Sequence, residues 1–186
     1  MKRSTILTLL VISLVLALFV TPLGYHGKVW LNQLFSVAPD IIPISKRDRL
    51  SDYDWKLKDD QWDFFSFEKS KGNVVFINFW ASWRLPCAAE LKGIQKLYDV
   101  YGDKVDFYII TNEERPPVEE FMEVKGFTFP VTYLIIGGRS PILVLEPPAS
   151  YIIDKDGYIV VKEDDITNWN TTSVHQLLDE LLNTGT

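Results

Sequence analysis

Between residues 74 and 80 the chain reads VVFINFW, apolar at almost every position and rich in β-branched and aromatic side chains. Such a run predicts a strand covered on both faces. Pro86 follows, where the first turn of a helix tolerates a residue without an N–H. Leu91, Ile94, Leu97, Tyr98 and Tyr101 then recur at helical spacing, and Gly102 supplies a stop. The prediction is a buried strand, a tight turn and an amphipathic helix, with Trp80, Trp83 and Cys87 at the junction. Lys104 to Thr111 predicts a second buried strand, and Pro116-Pro117 opens a helix carrying Val118, Phe121 and Met122. Alternating strands and helices of this kind give parallel strands with right-handed crossovers, an α/β fold. Ahead of them, Ser51 to Gly72 predicts a β-hairpin. Trp55 and Leu57 alternate with polar residues, Asp59-Asp60 can turn, and Trp62, Phe64, Phe65 and Phe67 follow. At the other end, Val174, Leu177, Leu178, Leu181 and Leu182 mark one face of a final helix, with Thr171 or Thr172 as its cap.

The N-terminal pattern is different. Lys2 and Arg3 precede a run from Ser4 to Gly27 without formal charge, counting His26 neutral. As a helix it would reach ~36 Å, against a hydrocarbon core of ~30 Å. A cleaved signal would need small residues at −3 and −1, and neither Gly24 nor Gly27 as the last residue provides both. The expectation is a retained signal-anchor, a transmembrane helix within residues 1–27 that enters the membrane through residues 4–24. Lys2 and Arg3 would hold the N-terminus in the cytoplasm. The remainder would be a single-pass protein of the cytoplasmic membrane with its domain on the periplasmic, extracytoplasmic side. Residues 28–50 read as a juxtamembrane linker and 51–186 as the folded domain. Within the linker, Val29-Trp30-Leu31 with Leu34-Phe35 suits either an interfacial helix or a patch packed on the domain. Lys46 to Arg49 reads as solvated.

Composition narrows the chemistry. The 186 residues are 47% apolar, enough for a real core, and the net charge is −6. An acidic domain is a poor partner for nucleic acid or an anionic surface. The two histidines, His26 and His175, lie far apart in sequence, so no metal site or Cys–His pair is indicated and no cofactor is expected. A single cysteine excludes an internal disulfide. The P-x-x-x-T-x-x-C pattern of a peroxidatic cysteine is absent, with Trp80 and Arg84 at its proline and threonine positions.

Phe79-Trp80-Ala81-Ser82-Trp83-Arg84-Leu85-Pro86-Cys87 resembles the active-site segment F-W-A-x-W-C-x-P-C of thioredoxin-fold disulfide reductases of the TlpA/ResA type. It departs at one position, where Arg84 stands for the first cysteine, the family's nucleophile. Pro147 to Gly157 (PPASYIIDKDG) resembles the family's P-T-T-F-L-I-D-x-D-G segment, with a cis proline at Pro148 and a turn into the last strand, Tyr158 to Val161. The resemblance covers about residues 51–183. It implies a thioredoxin-like fold, a mixed sheet flanked by helices, with the hairpin as an N-terminal extension. Asn78 matches this subfamily, where thioredoxin itself has an aspartate.

In such a site the first cysteine sits at the helix N-terminus, where backbone N–H groups and the macrodipole favour its thiolate, and the second resolves the mixed disulfide. This chain keeps the resolving position, Cys87, and lacks the attacker. Cys87 is therefore either a residual exchanging thiol or an inert core residue. Arg84 reads as a solvated side chain or as a clamp for a carboxylate, from a partner or from Glu90. Glu90 matches an acid that the resemblance links to proton transfer; otherwise it is an exposed first-turn acid suited to the dipole. Trp83, Pro86, Pro148, Ala149 and Ser150 are implied as the border of a groove for an extended chain, while Trp80 is groove or core. The expected function is a module that binds an extracytoplasmic protein or peptide client without dithiol catalysis. The rival is thiol–disulfide exchange through Cys87, with a partner's thiol in place of the lost one.

Overall fold

The computed structural model describes residues 3–20, 24, 27, 29, 36–50, 52–142, 144 and 146–184. Its elements in chain order are α1 (Arg3–Val20), β1 (Lys56–Lys58), β2 (Phe64–Ser66), β3 (Val75–Phe79), α2 (Leu85–Tyr101), β4 (Asp106–Thr111), α3 (Arg115–Lys125), β5 (Val131–Leu134), β6 (Ala149–Ile153), β7 (Ile159–Glu163) and α4 (Thr172–Asn183). The seven strands form one mixed sheet in the order β2-β1-β5-β4-β3-β6-β7. β3, β4 and β5 run parallel, as the β–α–β–α–β order requires, and β6 and β7 return antiparallel. The hairpin β1–β2 extends the sheet by pairing antiparallel with β5.

Every residue of β3 is buried, because the strand lies at the centre of two clusters that share it by alternation. Val74, Phe76 and Trp80 face a cluster holding Leu91, Ile94 and Leu97 of α2, Val118 of α3 and Leu178 of α4. Val75, Ile77 and Phe79 face the other, to which no described α-helix contributes. Aromatic side chains from the hairpin region cover that face instead. Trp55 packs on Phe67 with ring centroids 5.5 Å apart, and Phe67 meets Tyr108 at 4.9 Å. The aromatic richness of the hairpin is thus explained: it does the covering that a helix layer would otherwise do.

Two expectations about the N-terminal part change. α1 has 18 residues, about 27 Å at ~1.5 Å per residue, short of a ~30 Å hydrocarbon core. Among the described residues no helix is long and apolar enough to cross a membrane, so the expected transmembrane helix is not found. The interfacial patch at Trp30, Leu31, Leu34 and Phe35 lies outside the described residues, while Val29 is buried against Ala88 and Ala89 of α2. Lys46 to Arg49, expected as solvated linker, instead lies along the edge of β7. Ile42 N–H donates to Val160 O, Ile159 N–H to Asp48 O and Leu50 N–H to Gly157 O, each at 2.8 Å. Arg49 Nε donates to Asp156 O at 2.9 Å. A sheet edge with unpaired backbone groups is satisfied by whatever chain can lie along it, and here that chain is the linker.

Candidate functional site

The carboxyl end of β3 turns directly into α2, which places residues 80–87 at the end of the sheet. Trp80 is core: its N–H donates to Ile110 O at 2.9 Å and its ring packs 5.5 Å from Phe121. The turn is pinned by Glu113, whose carboxylate accepts from Ser82 N–H at 2.6 Å and Ser82 Oγ at 2.7 Å. Glu113 follows β4, so one charged residue ties the ends of two parallel strands together. The sequence reading missed it; its place just after the second buried strand was the available signal.

Arg84 is the N-cap residue of α2, extended and without a side-chain cap bond. A cation beside the positive end of the helix dipole is disfavoured by ~0.3–1 kcal/mol. Its Nη2 donates to Glu146 Oε2 at 3.2 Å, and its guanidinium lies 5.5 Å from the Trp83 ring. The carboxylate Arg84 holds is therefore Glu146, just before the Pro147–Pro148 pair, and not Glu90. Trp83 is 71% exposed.

One turn further in, Cys87 is fully buried. Burial pushes its thiol up to about 11. The charge of Glu90 acts in the same direction, and a hydrogen bond from the Ala81 backbone and the Arg84 charge only partly oppose it. At neutral pH Cys87 is a protonated thiol out of reach of solvent, a poor nucleophile.

Glu90 is not the exposed first-turn acid of one sequence reading but 2% exposed. Its Oε1 accepts from Trp169 Nε1 at 2.5 Å and its Oε2 from Asn78 Nδ2 at 3.2 Å. Burial pushes its carboxyl up to about 8, against the lowering effect of these donors. Asn78 Nδ2 also donates to Ser150 Oγ at 2.8 Å, which continues the chain into β6, and Asn78 Oδ1 has no hydrogen-bond partner among the described residues. Trp169, the outer member of this network, was not foreseen, since nothing local in the polar stretch around it marks a partner 79 residues away.

Pro148 is buried, and the Pro147–Pro148 peptide is cis. Ala149 and Ser150 pair in register with Phe79 and Asn78, and both are buried in β6. Beside them lies an open cleft of about 270 Å³, lined by Phe79, Trp80, Ile142, Val144 and Pro147 with Thr111 at one side. The structure thus brings Trp83, Arg84 and Glu146 together on the surface and sets Cys87 beneath them. Glu90 and Ser150 are joined through Asn78, and Pro86 sits in the first turn of α2.

Comparison with known proteins points the same way. Residues 52–134 match the AhpC/TSA family. The thioredoxin-like protein YneN of Bacillus subtilis is 30% identical over 131 residues, covering 68% of this chain and 75% of that protein. The thiol-disulfide oxidoreductase ResA of Bacillus thuringiensis is 37% identical over 98 residues, covering 48% of this chain and 54% of the relative, so the match spans little more than half that relative's length. Among solved structures, a secreted thiol-disulfide isomerase from Corynebacterium glutamicum superposes with a TM-score of 0.56 at 15% identity, covering 77% of this chain and 89% of that one. At that identity the likeness is one of fold.

Proposed function

The chain belongs to the thioredoxin-like thiol–disulfide oxidoreductase family and carries a single cysteine, and from that premise we propose that it is a binding module of TlpA/ResA type without dithiol catalysis. The observation that carries the proposal is the pair Arg84 and Cys87. A guanidinium at the attacking position cannot form a mixed disulfide, and the thiol that remains is buried and protonated. What is left is a recognition surface. Trp83 and Arg84 are presented beside an apolar cleft next to Pro147, suited to an extended client with an acidic side chain that competes with Glu146 for Arg84. The uncharged run from Ser4 to Gly27, longer than α1, supports an anchor in the cytoplasmic membrane with the domain on its outer side.

The test is reduction of insulin or a model disulfide by the purified protein. Wild type is expected to stay at background, and Arg84→Cys to gain reductant-dependent turnover because it completes a C-x-x-C pair. Wild-type turnover that disappears in Cys87→Ser would replace the binding module with thiol exchange. Crosslinking from position 83 in native membranes then separates the modes. Capture that resists reductant and falls with Arg84→Glu is non-covalent binding, and capture abolished by reductant is exchange.

A further inference from the structure

A second cavity, of about 260 Å³, lies between α2 and the loop after β7, lined by Glu90, Lys92, Gly93 and Lys96 on one side and Asn168 and Asn170 on the other. The loop is built to hold these two asparagines outward. Asn168 N–H donates to Val37 O at 2.8 Å, and Trp169 between them is fully buried with its Nε1 on Glu90. Both asparagines have their acceptor oxygens engaged within this region. Asn168 Oδ1 accepts from the Asn170 N–H at 3.2 Å, and Asn170 Oδ1 accepts at 3.1 Å from the Nε2–H tautomer of His175. Their amide nitrogens are left as donors with no acceptor among the described residues. Lys92 and Lys96 stand one turn apart on the exposed face of α2, and neither has an ion-pair partner among the described residues. The pKa of Lys125 is lowered by burial first, with the Lys92 charge adding to it, which places a second amine near this end of α2.

Glu90, on the floor, carries no charge against an anion near neutral pH, and the one carboxylate among the described residues that acts on it electrostatically is Asp165, in the loop after β7. Both Glu90 oxygens already accept hydrogen bonds, and burial keeps its proton on up to about 8. The rim therefore offers donors and positive charge, in a chain whose net charge is −6. We propose that this cavity binds a phosphate group, held by Lys92 and Lys96 and by the amide nitrogens of Asn168 and Asn170. Lysines act as point charges on phosphate, whereas a planar carboxylate is better matched by an arginine fork, which this rim lacks. The volume is below the ~300–1,000 Å³ of sites for drug-sized ligands. It suits a molecule the size of a headgroup, either a soluble phosphomonoester or the exposed end of a phospholipid. The site is independent of any role for Arg84.

The test uses the full chain, ¹⁵N-labelled, in maltoside micelles, titrated with inorganic phosphate at ionic strength held constant with chloride. Saturable shifts are expected at the amides of Gly93, Lys96, Asn168 and Asn170. Lys92→Gln with Lys96→Gln should weaken binding at least tenfold, and Lys96→Arg should retain most of it. Doping the same micelles with phosphatidic acid in place of inorganic phosphate separates the sources. Saturable shifts that need both lysines and appear at far lower phosphatidic acid than phosphate assign a lipid headgroup, and a response to phosphate that phosphatidic acid does not reproduce assigns a soluble ligand. The proposal is overturned if neither probe binds saturably, or if binding in both arms survives the double lysine variant in protein whose spectrum shows it folded.

Discussion

The first two turns of α2 hold two polar arrangements that obey different rules. At the outer end, Arg84 meets Glu146 through side chains that are 23% and 76% exposed. A pair so solvated is worth ~0–1 kcal/mol. One turn further in, Glu90, Asn78, Ser150 and Trp169 form a chain of hydrogen bonds between groups that are all buried. There each unmade bond costs far more than a made one contributes. A position such as 84 can exchange a nucleophile for a cation with little effect on folding while the chemistry changes entirely. The inner network has no such freedom.

Removing the centre of the inner network should have the largest effect. Glu90→Ala leaves a cavity and strips the acceptor from both the Trp169 N–H and the Asn78 amide, for an expected loss of ~3–5 kcal/mol in denaturant unfolding. Glu90→Gln is the sharper control. If the Asn78 amide turns over, the new NH₂ can donate to the Asn78 oxygen that now lacks a partner among the described residues, and near pH 4, where wild-type Glu90 is protonated in both states, the loss should stay within ~1 kcal/mol. Equal losses in the two variants would mean that the network matters only as volume.

The next effect is a pH dependence confined to the inner region. In the unfolded chain Glu90 titrates near ~4.3, and in the folded protein its pKa is raised to about 8. The folded state therefore holds this proton more tightly. The contribution is fully present below the unfolded value and is lost as pH rises from there through about 8, at up to ~1.4 kcal/mol per pH unit. The difference in stability between wild type and Glu90→Gln should trace that window. A difference flat from pH 4 to 9 would show that Glu90 is not the group held protonated.

Smallest of all should be the outer pair. Arg84→Ala and Glu146→Ala should each change stability by less than ~1 kcal/mol, with a coupling in the double-mutant cycle of ~0.2–1 kcal/mol that fades with salt. A salt-insensitive coupling well above that range would make the outer end as closed as the inner one.

The strand at 75–79, the helix at 85–101 and the parallel β3–β4–β5 core follow from apolar runs and helical spacing that the sequence displays openly. The hairpin was legible from its alternation and turn residues, though its strands are short. Less legible was the segment before it. Lys46 to Arg49 looks solvated by composition, and its side chains are largely exposed, yet its backbone satisfies an edge strand. Composition reports on side chains and is silent on where a backbone finds its hydrogen bonds. At the site, the surface residues Trp83 and Arg84 could be placed from their position at a helix start. The burial of Glu90 could not, because its spacing from Cys87 fits an outward-facing acid as well as an inward-facing one.

The sequence by itself determined the alternation that makes the sheet, the single cysteine and the cation at position 84, and with them the absence of an internal dithiol. These are facts of covalent composition and local periodicity, and no coordinates alter them. Only the tertiary structure decided that Arg84 answers to Glu146, 62 residues away, that Glu90 answers to Trp169, and that Lys92 and Lys96 face two asparagines with amide donors to spare. Hydrogen bonds and ion pairs act over a few ångströms and carry no trace in the spacing of residues along the chain, so their partners are settled when packed elements bring distant side chains together.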